Sequence, residues 1–114
     1  MNVLENAKKH FAEKINGELK KITVHEWKTD IFYKSAHSFA VESKILDLQQ
    51  QGKIVEALVE SIIQKALTID GNRMFTQHDK LTLMNEVDPA VLTKIASAIN
   101  SATLDVKQEE LVKN

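Results

Sequence analysis

The chain has 114 residues, no cysteine and a formal net charge of −1. Those values exclude a disulfide framework and a thiolate metal centre, and they give no global pull toward nucleic acid or anionic membrane. The length is that of one domain able to bury a core without staples, and three glycines with one proline argue for long regular elements.

Leu4, Ala7, Phe11, Ile15 and Leu19 recur at gaps of three and four, which predicts a helix from Val3 to about Lys20. Asn16-Gly17 weakens that pattern, since an interior glycine costs about 1 kcal/mol against alanine. The same stretch, Met1 to Lys20, lacks the continuous apolar run of a signal peptide, and no run in the chain is long enough to span a bilayer. Ile22 to Trp27 and Ile31 to Lys34 are rich in β-branched and aromatic residues. They predict a β-hairpin over about 21–34 with Lys28-Thr29-Asp30 as its loop. An isolated hairpin is only marginally stable, so this one must pack on helices or pair its edges. Ser38 is a candidate cap for a helix from Phe39 to Gln51, and Gly52 is a suitable residue just past its end.

Lys53 to Ile69 carries the longest apolar helical pattern, from Ile54 through Leu67, with Glu56, Glu60 and Gln64 as a narrow polar stripe. A helix apolar over most of its circumference is central. Asp70-Gly71-Asn72 predicts a tight turn, and Arg73-Met74-Phe75 a short extended link. Thr76, with Asp79 three residues on, predicts the start of a helix over Gln77 to Val87. Asp88-Pro89 opens another, with Val91 or Leu92, Ile95, Ala98 or Ile99, and Ala102 as its core face. After Ser101 the pattern fades. The expected fold is mainly α with a small β-hairpin, about five helices packed around the central helix 53–69. The expected organisation is one domain over 1–102 and a polar C-terminal tail over 103–114.

The residues of chemistry are not arranged for it. His25-Glu26 opens like a zinc-protease motif, but Thr29 stands where the second histidine belongs. No two glycines lie close enough for a phosphate loop, and no serine sits in a nucleophile elbow. Asp70-Gly71-Asn72 fails as a calcium loop, because Leu81 replaces the terminal glutamate. Glu56 and Glu60, one turn apart, read as a solvated helix face. The expectation is no enzyme, no metal and no cofactor. The helices either side of Asp88-Pro89, over 77–102, suggest a helix-turn-helix and hence a small DNA-binding regulator. The would-be recognition helix carries only Lys94 as a cation, where a reader of phosphates needs several. Trp27, Phe32, Tyr33 and Phe39 cluster in sequence; core packing is the plainer account, and a partner-binding patch the functional one.

Four stretches stand out by their order and spacing. They are His10-Phe11 through Gly17-Glu18-Leu19-Lys20-Lys21; Val24-His25-Glu26-Trp27 with Asp30-Ile31-Phe32-Tyr33-Lys34; Gln51-Gly52-Lys53 leading into Glu56-Ala57-Leu58-Val59-Glu60; and Asp70-Gly71-Asn72-Arg73-Met74-Phe75 with Asp79-Lys80 and Glu86-Val87-Asp88-Pro89. In these, and over nearly its whole length, the chain resembles small phage and prophage proteins known as tail assembly chaperones. Relatives often have proline where His25 stands. The resemblance implies a non-enzymatic protein of the host bacterial cytoplasm. Its partners would be the tape-measure protein, which it keeps soluble, and the tail-tube protein, whose assembly it promotes. Self-association is a further possibility. It also implies, in some relatives, a longer form made by frameshifting near the C-terminus. On this reading the hairpin holds Trp27, Phe32 and Tyr33 out to a helical partner or to another copy of the chain.

Overall fold

The sequence forms α1 (Val3–Ile15), β1 (Lys20–Val24), β2 (Thr29–Tyr33), α2 (Phe39–Gln50), α3 (Ile54–Lys65), α4 (Lys80–Asn85) and α5 (Pro89–Lys113). The computed structural model describes the backbone of residues 2–113 and the side chains of residues 2–101. The expected polar tail over 103–114 lies outside the described side chains. Five α-helices and one antiparallel hairpin among the described residues make a mainly α fold with a small β element.

Helix α3 carries the core, as its apolar circumference requires. Ile62 and Ile63 of α3, Ile95 and Ile99 of α5, and Val24 and Ile31 of the hairpin are fully buried in one cluster. Each such side chain contributes roughly 1.5–3 kcal/mol on leaving water. Helix α5 starts as its sequence dictates: Pro89 occupies the first position, and Asp88 Oδ1 accepts the Ala90 N–H at 3.0 Å. Both Val91 and Leu92 are buried on it, along with Ala96.

Four boundaries differ from the sequence reading. Helix α1 stops at Ile15, because the chain after Gly17 is needed as β1, where Lys20 pairs with Tyr33. The hairpin loop is His25 to Lys28 and not Lys28 to Asp30. A 3-10 turn over His25–Trp27 closes with Lys28 in the left-handed region (φ 53°), and Thr29 and Asp30 already pair with Val24 and Thr23. Helix α3 ends at Lys65 rather than Ile69. Leu67 leaves the helix to exchange two backbone hydrogen bonds with Phe32, at 2.7 and 2.9 Å, which covers the outer edge of β2. The chain then reverses at Gly71 (φ 84°) and Leu67 bridges Arg73. Ala66 and Leu67 remain buried, so the apolar pattern is kept although the backbone changes. The expected helix 77–87 is a 3-10 turn over Gln77–Asp79 followed by α4. Its start is held as expected, with the Thr76 N–H donating to Asp79 Oδ2 at 2.8 Å.

The polar stripe of α3 also differs. Glu60 is 2% exposed, where the sequence suggested a solvated face. Lys65, the last residue of α3, is also 2% exposed. Helix α2 neutralises both. Lys44 Nζ lies 3.1 Å from Glu60 Oε1, and Lys65 Nζ lies 2.6 Å from Glu42 Oε1. Gln64 and Gln77 each donate to Glu60 at 2.9 Å, and Lys65 also donates to Asn100 Oδ1 of α5 at 3.0 Å. The two ion pairs therefore tie α2 to α3 in one antiparallel register, with Gly52 (φ 77°) at the turn between them.

Ile62→Asp is expected to abolish the fold, because its carboxylate would have no partner in the apolar cluster. Circular dichroism during heating checks this. A soluble Ile62→Asp protein with a cooperative melt would refute the central placement of α3.

Candidate partner-binding surface

The four aromatic residues named from sequence occupy three different settings. Tyr33 is 8% exposed and belongs to the core cluster. The hairpin therefore turns this ring inward instead of holding it out. Phe32, on the other face of β2, is half-buried, and its backbone is committed to Leu67. Trp27 is half-buried at the hairpin loop and leans on the core. Phe39 opens α2 and is 84% exposed, positioned by Ser38, whose Oγ accepts the Val41 N–H at 3.3 Å.

Trp27 has an aromatic neighbour that the sequence reading passed over. Phe75 meets it edge to face, with ring centroids 6.4 Å apart and planes at 80°. That arrangement sets the positive edge of one ring against the negative face of the other. The two rings, with Thr82, Leu83, Val87 and Asp79, line an open, mostly apolar groove of about 210 Å³. The available signal was an aromatic directly before the cap Thr76. Other large apolar side chains left exposed are Val3 and Leu4 on α1, Leu46 on α2, Ile54 and Val55 at the start of α3, Ile69 in the turn and Leu81 on α4.

Among the described residues no cluster of three or more His, Cys, Asp or Glu could hold a metal ion. Burial pushes the Glu60 carboxyl up, but hydrogen bonds from Gln64, Lys44 and Gln77 outweigh it and hold the group below its ordinary range. Its charge is spent on holding helices together. Glu56, its neighbour one turn back, pairs with Lys80 at 3.4 Å. Among the described side chains, α4 and the first half of α5 carry few free cations. Helix α4 has only six residues, α5 turns Val91, Leu92 and Ile95 into the core, and Lys94 lies 3.6 Å from Glu26. Among the described residues no helix is long and apolar enough to cross a membrane.

No protein-family model matches the sequence, and no curated protein matches it. Among solved structures the chain is similar to the bacteriophage HK97 tail assembly chaperone, with a TM-score of 0.54 and 15% sequence identity. The match covers 89% of this chain and 93% of that one. At that identity the likeness is one of fold, and it agrees with the family that the sequence resembles.

His37, in the connector before α2, supplies a pH test of the α2–α3 junction. Burial, then the nearby Lys65 charge, lowers its pKa to about 4, against a weaker opposing pull from Glu42. Its Nδ1 is 4.0 Å from Glu42 Oε1 and has no hydrogen-bond partner. The folded protein thus binds this proton less readily than the unfolded chain. Stability is full above about pH 6.5 and falls as the pH drops toward 4. The expected loss at pH 5 is about 2 kcal/mol, above the range where carboxylates titrate. Urea unfolding at pH 7.5 and pH 5.0 measures it, and His37→Gln should remove most of the difference.

Proposed function

We propose that this protein is a phage tail assembly chaperone. It is a non-enzymatic binding protein of the host cytoplasm that holds the tape-measure protein soluble and promotes assembly of the tail tube around it. The observation that carries the reading is the fold likeness to a tail assembly chaperone along nearly the full length of both chains. The surface is compatible with it. Apolar side chains that a self-contained domain has no reason to expose, Phe39 above all, are on the surface, and a separate apolar groove lies between Trp27 and Phe75. Aromatic anchors of this kind dominate binding energy when a partner covers them. Trp27, Phe32, Tyr33 and Phe39 are the proposed contact set. Phe39 and Trp27 contact the client directly, while Tyr33 acts from the core by holding the hairpin in place.

Co-expression with a tape-measure protein encoded beside this gene, followed by size-exclusion chromatography with light scattering, tests the proposal. The expected result is co-elution, with the long partner kept soluble. Trp27→Ala with Phe39→Ala should weaken capture at least tenfold, about 1.4 kcal/mol, without unfolding the chain. Elution of this chain alone, with the partner still aggregating, would overturn the reading.

A further inference from the structure

Helix α1 is capped at both ends and yet packs on almost nothing. Asn2 Oδ1 accepts the Glu5 N–H at 2.8 Å, and the Asn16 N–H closes the other end on the Ala12 carbonyl. None of its residues is buried, and among the described residues it makes no substantial contact with another element. Its sequence is nonetheless that of a helix with a partner. Leu4, Ala7, Phe11 and Ile15 share one side; Leu4 is 69% exposed and Ala7 is exposed, while Phe11 and Ile15 are half-buried. Placed at 3.6 residues per turn, Lys8 and Lys14 border that stripe on its two edges, whereas Glu5 and Glu13 fall outside it. Thirteen residues make a marginal helix in water unless something covers the apolar side.

We infer that α1 is a docking helix for an amphipathic helix of another protein, one whose apolar stripe is bordered by acidic side chains. The charge pattern selects this occupant. In paired helices the residues flanking the apolar seam decide partner choice, and here both are lysines. A second copy of α1 would bring the same lysines together. An anionic bilayer is also attracted by lysine-flanked stripes. However, Glu5 and Glu13 offset two of the three lysines of α1, and its only aromatic is Phe11. A stripe of this length buries little area, which places the contact in the weak, transient class. The inference stands apart from the tail-assembly reading, since it concerns the chemistry of a docking segment and not which client carries it.

The probe is a fluorescein-labelled synthetic helix of about three heptads with leucines along its seam. It is made with glutamates at the flanks in one version and lysines in the other. Fluorescence anisotropy with the full chain at low salt should show the glutamate version binding about tenfold more tightly, as two charge pairs allow. Lys8→Glu with Lys14→Glu should reverse that preference. Leu4→Ser with Phe11→Ser should abolish binding of both peptides and leave the thermal melt unchanged, because neither side chain is in the core. Equal binding of the two peptides would overturn the inference. So would binding that survives the serine substitutions, or no binding of either peptide. Binding to phosphatidylglycerol vesicles in place of the peptide, or self-association lost with Leu4→Ser and Phe11→Ser, would assign α1 another occupant and overturn it equally.

Discussion

Glu60 and Lys65 are opposite charges buried on one helix, and the fold is arranged so that neither is left alone. Removing a carboxylate and an ammonium from water costs several kcal/mol each unless partners meet them. Helix α2 brings Lys44 to one and Glu42 to the other, α5 brings Asn100 to Lys65, and the turn before α4 brings Gln77 to Glu60. Gln64 adds a further bond to Glu60 from within α3 and itself accepts from Arg73. A sliding of α2 along α3 would break both ion pairs at once. The apolar contacts of α2 could not fix that register, because Ile45 is its one buried residue. Hydrophobic burial holds α3 to α5 and to the hairpin, while charge decides where α2 sits.

That division of labour shapes the surface. Helix α2 buries Ile45 and half-buries Val41 and Leu48, which leaves Phe39 and Leu46 outside. Because β2 has its free edge covered by Leu67, the hairpin loop is braced from within the chain, and Trp27 can rest against Phe75 with a groove beside it. Helix α1 contributes nothing to the core cluster, and its Leu4 is left outside as well. Side chains this exposed add little to the stability of the fold that carries them. The carboxylates of Glu60 and Glu56 are engaged in ion pairs, and Glu60 accepts hydrogen bonds besides.

The aromatic residues show where reading a sequence stops. Trp27, Phe32, Tyr33 and Phe39 are close in the chain, so proximity suggested one patch. Alternation along β2 puts Phe32 and Tyr33 on opposite faces, and α2 carries Phe39 on another element. Phe75 was invisible as their companion because it lies 48 positions beyond Trp27 and meets it only after the chain has folded. The same limit applies to Ala66 and Leu67. A buried strand and a buried helix turn have the same composition, so apolar periodicity alone extended α3 by four residues.

The sequence by itself determined the class of fold, the central place of α3, the caps at Ser38, Thr76 and Asp88, and the turns at Gly52 and Gly71. Each of these depends on residues within a turn or two of one another, where local sterics and hydrogen bonding decide. Tertiary structure alone decided that Glu60 and Lys65 go inside, that Leu67 leaves its helix for Phe32, that Tyr33 turns inward, and that α1 stays uncovered. These outcomes depend on partners far along the chain. The energy of burying a charge or closing a sheet edge has no value until those partners arrive.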